Sequence, residues 1–378
     1  MRSIRWLLCA LSLSCAAIAP SSGACAELVV GQAIPALDPP FLGQQLQAGI
    51  ELCFEVTNKN GGVQGNTLRL VTVDRGIDAS KSVEIVRGLI NREHPVALVG
   101  MMGTASMAAL LKERVIEQAG IPVIGIRSGA QALRTPFNPW LFHTRADYAN
   151  ESVRIVNHLT SMGYRRVAIF NEDSDFGREA LGQLTHALAG TALVQVATAS
   201  YDTHSPDVSR AVAAIAAARP DIVIAAGESE HVADFYKDIQ VATGRTPLIA
   251  LSTVDAILVV KRIGADRARG LGVVLVVPDA ASSRFGAQRD FQEAARRYGG
   301  PHLALSQATF EGYLSARVLV AALKRAGPNP TREKLRDALD QLHSLDLGGL
   351  IYSFSPINHA GSNFFDIGIV GRDGRVMR

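Results

Sequence analysis

The feature that most constrains the fold is a repeated alternation of short apolar runs with longer segments of helical periodicity. Several of the runs are rich in β-branched residues and apolar almost throughout, which is typical of parallel strands covered by helices on both faces. The predicted strands are Leu28–Ala33, Leu68–Asp74, Val96–Gly100, Val123–Ile126, Val167–Phe170, Leu193–Ala199, Ile222–Ala226, Leu248–Leu251 and Val273–Val277. Between them lie helical patterns such as Gly43–Asn58 and Thr104–Gln118. The alternation predicts an α/β fold of doubly wound, Rossmann-like parallel sheets.

The number of strands predicts two lobes, because one sheet would hold about half of them without becoming unusually wide. The extended stretch Trp140–Asp147 interrupts the alternation and is predicted to pass from one lobe to the other. Val277-Pro278-Asp279 is predicted to be a second such connection. Near the end of the chain, Leu350–Phe354 and Phe364–Val370 are predicted to form an antiparallel pair. We therefore predict an N-terminal lobe of residues 27–144 and 278–345 and a C-terminal lobe of residues 145–277 and 346–378. The crossings between the lobes would act as hinges.

The N-terminus predicts export. Arg2 and Arg5 precede an apolar run that ends near Ala19, and small residues follow at Ala24 and Ala26. This layout is typical of a secretory signal peptide over residues 1–26, with cleavage after Ala26. An uncleaved anchor is the alternative, but the run of roughly 14 residues is short of the ~20 that cross a bilayer. We expect the mature protein in the periplasm.

The cysteine content and the net charge argue against a disulfide, a lipid anchor and a nucleic acid partner. Cleavage would leave Cys53 as the one cysteine, which excludes an intrachain disulfide, and neither Cys15 nor Cys25 follows the Leu-small-small-Cys pattern of a lipid anchor. Removing residues 1–26 deletes two arginines and no acid, so 38 Lys and Arg against 35 Asp and Glu become 36 against 35. A near-neutral chain argues against a nucleic acid partner.

Enzyme signatures are missing from the sequence. It contains no Walker A loop, no Gly-x-Gly-x-x-Gly after a strand, no His-Glu-x-x-His and no Gly-x-Ser-x-Gly. His231 lies in an acidic stretch, Glu228–His231, which we interpret as a solvated helix start rather than a metal or acid–base site. We expect no catalytic residues, no metal and no cofactor.

Small and polar residues follow several predicted strands. Gly100–Ser106 leaves a strand and enters a helix with Thr104 as its expected N-cap, and Ile126–Ala130 repeats the arrangement after the next strand. Exposed N–H groups at a helix start bind carboxylates well, and two such loops on neighbouring strands predict a ligand crevice. Ordinary helix capping is the alternative. In the second half, the strand ends deliver Phe176, Glu228 and Ser252 to the corresponding edge.

The order of these pieces resembles the type I periplasmic solute-binding proteins of branched-chain amino-acid (leucine/isoleucine/valine) ABC transporters. The resemblance covers almost the whole mature chain. The matching stretches are Gly43–Gly49, Asn58–Gly65, Val71–Asp74, Leu98–Ser106, Gly120–Ile124, Asp173–Gly177, Phe310–Tyr313 and Phe365–Val370. The resemblance implies a Venus flytrap of two lobes that captures a small solute for a membrane permease, as a monomer and without chemistry.

The resemblance also implies site residues. The carboxylate-binding loop of the family falls on Thr104, Ala105 and Ser106, and its second first-lobe loop falls on Arg127, Ser128 and Gly129. The aromatic residue that closes over the ligand falls on Phe176. Two positions depart from the amino-acid binders: the acid that holds the α-ammonium group falls on Ser252, and a nearby position, often aromatic, falls on Glu228.

These departures leave the ligand open. A buried ammonium group needs a carboxylate partner, so either Glu228 takes over that role or the ligand has no α-amino group. Arg127 could also bind a second acidic group. We expect a small carboxylate-bearing solute, an amino acid or a related organic acid. A ligand-sensing regulator of the same fold and an α/β enzyme are the alternatives.

Overall fold

The structure is a computed structural model, and it describes residues 26–35, 40–76, 78–301 and 303–377. The predicted signal peptide therefore lies outside the described residues apart from Ala26. The strands are β1 Glu27–Ile34, β2 Thr67–Asp74, β3 Ala97–Val99, β4 Val123–Ile124, β5 Leu141–Phe142, β6 Arg166–Glu172, β7 Val194–Tyr201, β8 Ile222–Ala226, β9 Leu248–Ala250, β10 Gly272–Leu275, β11 Leu345–Asp346, β12 Ile351–Tyr352, β13 Asp366–Val370 and β14 Val376–Met377.

The helices alternate with the strands for most of the chain. They are α1 Pro40–Lys59, α2 Ser82–Glu93, α3 Thr104–Lys112, α4 Val115–Ala119, α5 Tyr148–Ser161, α6 Asp175–Leu188, α7 Ser209–Ala218, α8 Ser229–Thr243, α9 Ala256–Ile263, α10 Ala265–Ala268, α11 Gly286–Tyr298, α12 Gln307–Ala326 and α13 Arg332–Asp340. Side-chain caps start several of them. Asp147 accepts a hydrogen bond from the Asn150 N–H at 2.7 Å, and Ser174 accepts one from the Gly177 N–H at 3.1 Å.

Two sheets organise the described residues. The first is a five-stranded parallel sheet in the order β2-β1-β3-β4-β5, and the second is seven-stranded in the order β14-β13-β10-β9-β8-β6-β7. Strands β6 to β10 are parallel, and β13 and β14 add antiparallel edges. The prediction of two doubly wound α/β sheets is confirmed. The lobe boundaries after residues 144, 277 and 345 stay predictions.

The nine predicted strands are all present, with bounds shifted by a few residues, but the prediction for the C-terminal pair was wrong. The segment around Ile351 pairs with β11, across a turn in which Gly348 and Gly349 both have positive φ. Strand β13 instead pairs with β10, so it extends the second sheet. The backbone hydrogen bonds of β12 are therefore made within a short hairpin, and those of β13 are made at the edge of the second sheet. The predicted helix Thr104–Gln118 is also interrupted, because Arg114 adopts a left-handed conformation between α3 and α4.

Helix α12 is largely buried and packs closely against α1 beside the first sheet. Glycines make this approach possible. A Cβ at Gly49 would overlap the carbonyl oxygen of Thr309, and a Cβ at Gly312 would overlap that of Leu46. The backbones of α1 and α12 are therefore in direct contact at these two glycines, one on each helix. Within the described part of the chain, no helix has both the length and the apolar character needed to cross a bilayer.

This packing predicts opposite effects for two glycine substitutions. Gly312→Ala should lower the free energy of unfolding by about 1–3 kcal/mol, because the added methyl group forces the two helices apart. The matched control is Gly182→Ala on the exposed face of α6, where no atom lies near the new Cβ. There alanine should raise stability by up to about 1 kcal/mol through helix propensity. Urea unfolding measures both, and equal effects would contradict the close α1–α12 contact.

Candidate ligand-binding cleft

The carboxyl ends of both sheets open onto one cleft. In the first sheet the strand order reverses beside β1, and in the second it reverses beside β6. Open parallel sheets bind ligands at such switch points. A cavity of about 470 Å³ lies there, large enough for a small solute. Loops that follow β2, β3 and β4 form its first wall, and loops that follow β6, β7, β8 and β9 contribute to the second.

The first wall is built from the loops after β3 and β4, which lie side by side as predicted, since the Arg127 N–H donates to the Met101 carbonyl at 2.8 Å. The predicted N-cap was wrong by one residue: Gly103, with a φ of 92°, is the N-cap of α3, and Thr104 is the first residue of the helix. The Thr104 and Ser128 hydroxyls are 2.9 Å apart, and Ser128 Oγ also accepts a hydrogen bond from the Ala130 N–H at 3.2 Å. Ser128 thus positions Thr104 at the start of a helix whose first N–H groups have no intrahelical acceptor.

Two arginines border this wall. The Arg127 side chain is 5% exposed, and its Nε lies 3.5 Å from Glu311 Oε2. Among the described residues, neither Nε nor Nη2 of Arg127 has a hydrogen-bond partner. Arg75 Nη2 donates to the Met102 carbonyl at 3.2 Å, and a Cβ at Gly103 would come within 2.7 Å of that same nitrogen. The first wall therefore combines a helix start with guanidinium groups, which suits an anion.

The second wall is acidic. Glu172 ends β6 and is buried, and Glu228 precedes α8 and is half-buried. Burial, and then the charge of Glu172, raise the pKa of Glu228 to about 7, although Arg127 opposes the shift. Burial also raises the pKa of Glu172, against hydrogen bonds from Ser174 and Tyr201. Phe176 lies beside them, and its ring centroid is 5.1 Å from that of Tyr148.

The structure brings most of the predicted site residues together. Thr104, Ala105, Ser106, Arg127, Phe176 and Glu228 line the cleft. Ser128 lies behind Thr104, and Gly129 lies behind Tyr148, where a Cβ would come within 2.7 Å of the tyrosine ring. Ser252 is fully buried away from the lining. Lining residues that sequence reasoning missed include Arg75, Tyr148 and Glu172, each at the carboxyl edge of its sheet, which was the available signal.

A buried ionic cluster lies behind the cleft, where Ser252 contacts Arg145 and Glu151. Ser252 Oγ donates to Glu151 Oε1 at 2.7 Å and accepts a hydrogen bond from Arg145 Nη2. Arg145 Nη1 lies 3.3 Å from Glu311 Oε1, and its Nη2 lies 3.6 Å from Glu151 Oε1. Burial alone would lower the pKa of Arg145, but the carboxylates of Glu311 and Glu151 raise it above its usual value.

Fold and site define a solute-binding protein of two α/β lobes, and the comparisons with known proteins agree. The family model of the periplasmic binding proteins matches residues 38–374, so the chain belongs to that family, whose members are binding proteins rather than enzymes. A substrate-binding periplasmic protein from Ralstonia solanacearum is 32% identical, with a TM-score of 0.87 over 93% of this chain and 99% of that one. The predicted family resemblance is confirmed, and it implies a periplasmic or extracellular location.

Two further relatives concern amino acids. A Leu/Ile/Val-binding protein homolog 7 from Brucella abortus is 27% identical over 57% of this chain and 56% of its own length, so the chain spans about half the length of the curated relatives it matches. A branched chain amino acid ABC transporter structure from Thermus thermophilus with bound valine has a TM-score of 0.80 over 93% of this chain and 94% of that one, at 19% identity. The latter likeness shows the shared fold.

The raised pKa of Glu228 predicts how stability depends on pH. A carboxyl group whose pKa is about 7 in the folded state and near 4.5 in the unfolded state holds more protons when folded. The free protein should therefore lose stability as pH rises from about 4.5 through 7. Glu228→Gln removes this titration, so its melting temperature should fall less than the wild type's between pH 5 and pH 8. Parallel melting curves for both proteins would contradict the shifted pKa.

Proposed function

We propose that the protein is the substrate-binding component of an ABC transporter and that it captures a small carboxylate-bearing solute between two closing lobes. Arg127 is the observation that carries the proposal. It is a buried guanidinium group that lines the cleft, and its Nε and Nη2 lack hydrogen-bond partners among the described residues. A buried arginine N–H group without a hydrogen-bond acceptor lowers the stability of the folded protein. The oxygens of a bound carboxylate would be the missing acceptors.

The ligand's carboxylate would bind first to Thr104, Ala105, Ser106 and Arg127. Ser128 would hold the Thr104 hydroxyl in place, and Gly129 would leave room for Tyr148. Phe176 would then close over the apolar part of the ligand from the second wall, while Glu228 would face an amino group. Ser252 would act through the buried Arg145 cluster rather than by touching the ligand. The valine bound in the Thermus relative supports an amino acid or a related organic acid as cargo.

Closure follows from the division of the site between two walls. We assign residues 27–144 and 278–345 to one lobe and residues 145–277 and 346–378 to the other, with residues 1–26 removed as a signal peptide on export to the periplasm. A ligand that contacts both walls favours the closed form by its additional contacts there, and that difference shifts the population. One chain supplies both walls, so a monomer suffices, and the membrane permease would recognise its closed form.

A thermal-shift screen tests the carboxylate site. Branched-chain, acidic and aromatic amino acids and their amine-free counterparts form the panel. A ligand at 100 times its dissociation constant adds about 2.7 kcal/mol of stability, which raises the melting temperature measurably. We expect at least one carboxylate compound to do so. Stabilisation by sugars or uncharged solutes alone would contradict the proposal.

Thr104→Ala tests the first wall with the compound that the screen identifies. Loss of one hydrogen bond to a charged group should weaken binding about 10-fold or more. The matched control is Thr185→Ala on the exposed face of α6, which should leave the dissociation constant unchanged. Calorimetric titration measures both variants, and equal affinities would remove Thr104 from the site.

A further inference from the structure

Arg75 lines the cleft, but the proposed carboxylate site does not use it. The residue directly follows β2, and its backbone N–H donates to the Ile34 carbonyl at 3.0 Å, so the ends of β1 and β2 fix its position. Arg75 is only 7% exposed, yet it borders the cavity. A buried guanidinium group beside a ligand cavity is either a structural contact or part of the site, and its partners decide between the two.

Arg75 has no acidic partner in the described part of the chain, where three arginines are buried. Arg127 Nε lies 3.5 Å from Glu311 Oε2, and Arg145 Nη1 lies 3.3 Å from Glu311 Oε1. No described carboxylate comes within ion-pair distance of Arg75. Burial lowers the pKa of Arg75, and the charge of Asp74 only partly offsets this effect. The charge of Arg75 is therefore buried without compensation, which lowers stability.

The hydrogen bonds of Arg75 leave part of its guanidinium group unused. Nη1 donates to the Gly76 carbonyl at 3.0 Å, and Nη2 donates to the Met102 carbonyl at 3.2 Å. A guanidinium group has five N–H donors, and Nε of Arg75 has no hydrogen-bond partner among the described residues. The two carbonyls hold the group in place but do not balance its charge. An anion could therefore bind while both contacts persist.

Arg75 and Arg127 flank the loop that leads into α3. Strand β3 lies between β2 and β4 in the first sheet, so the loop after β3 separates the two arginines. Met102 in that loop contacts both residues, since its carbonyl accepts from Arg75 Nη2 and its backbone forms a parallel bridge with Arg127. A Cβ at Gly103 would lie 2.7 Å from Arg75 Nη2 and 3.6 Å from Ser106 Oγ. Glycine thus leaves space between these two donors.

We propose that Arg75, beside Ser106, forms a second anion subsite of the cleft and that the solute carries a second carboxylate that binds there. The first carboxylate would bind Thr104 and Arg127. This inference rests on the proposed function and narrows its ligand class to dicarboxylates. Arg75 is then the residue that distinguishes a dicarboxylate from a monocarboxylate.

The surroundings of Arg75 favour a charged group over a neutral one. Pro35, Leu42 and Ala79 line the cavity on the same wall, and all three are apolar. An ion pair is screened less at such a site than in open solvent. An amide of the same shape accepts a hydrogen bond but brings no charge, and hydrogen bonds between charged groups are the stronger ones. A preference for a carboxylate over the matching amide is therefore the property that this subsite predicts.

Isothermal titration calorimetry on the full protein tests this preference. The probes are dicarboxylates and their monoamides: L-glutamate and L-glutamine, glutarate and glutaramate, isophthalate and 3-carbamoylbenzoate. L-leucine, L-phenylalanine and their amine-free counterparts serve as monocarboxylates. We expect at least one dicarboxylate to bind, and to bind 10-fold or more tightly than its monoamide.

Three variants assign the preference to Arg75. Arg75→Gln keeps an N–H donor but removes the charge, so it should weaken dicarboxylate binding 10-fold or more and leave the monoamide within about 2-fold. Arg75→Lys keeps the charge but not the planar fork, so it should retain part of the preference. The matched control is Arg69→Gln on the same strand, an exposed residue paired with Glu27 and Glu93, which should change neither affinity. Circular dichroism melts show that each variant is folded, and the comparison on the unmodified protein requires no variant.

The outcomes separate this inference from the proposed function. Equal affinities for dicarboxylates and their monoamides, or binding of monocarboxylates alone, would overturn the second subsite and leave the first carboxylate site standing. Equal weakening of dicarboxylate and monoamide binding in Arg75→Gln would assign Arg75 a structural role and overturn the subsite as well. If no carboxylate compound binds, the proposed function fails, and the inference fails with it.

Discussion

Arg145 is the interaction on which the arrangement of the two sheets depends. It follows the last strand of the first sheet, and its guanidinium group is fully buried. It contacts Glu311 of α12, Glu151 of α5 and Ser252 at the end of β9. A buried guanidinium group deprived of its partners is strongly destabilising, so these three elements must meet at one point. Strand ends from both sheets are thereby tied together directly behind the cleft.

Glu311 connects this buried cluster to the candidate ligand site, because it contacts both Arg145 and Arg127. Its two carboxylate oxygens face different arginines, Arg145 in the buried cluster and Arg127 at the cleft. Arg145 forms ion pairs with both Glu311 and Glu151, whereas Arg127 forms one with Glu311 and has no hydrogen-bond partner for its Nε and Nη2 among the described residues. A ligand carboxylate would complete it. The cleft is thus polar along one direction, with cationic and N–H donors on the first wall and carboxyl groups on the second, and the proposed ligand would be oriented by this difference.

The sequence predicted the features that depend on local pattern. Apolar runs located the strands, and the rule that ligands bind at the carboxyl ends of parallel strands selected the loops of Thr104, Arg127 and Glu228. What it missed depends on contacts between distant parts of the chain. Arg145 and Glu311 are 166 positions apart, and Tyr201 and Glu172 are 29 apart on neighbouring strands. The hydrophobic periodicity of the sequence does not predict contacts between residues so far apart in the chain.

Ser252 shows how a single aligned position can mislead. The resemblance assigns an ammonium-binding acid there, and its replacement by serine suggests a lost charge. In the structure a carboxylate does lie at this place, but it comes from Glu151 of α5, and Ser252 donates to it. That carboxylate belongs to the buried ionic cluster around Arg145 and not to the cleft. The carboxyl groups that line the cleft are instead those of Glu172 and Glu228, on two other strand ends.

A crystal structure grown with the most stabilising amino acid tests the central claim most directly, because the claim concerns how the ligand is oriented between two walls of opposite charge. We predict that the ligand's carboxylate lies against Arg127 and the start of α3, and that its ammonium nitrogen lies within hydrogen-bond distance of Glu172 or Glu228. A ligand bound outside the cleft, or with its carboxylate against the acidic wall, would contradict the account.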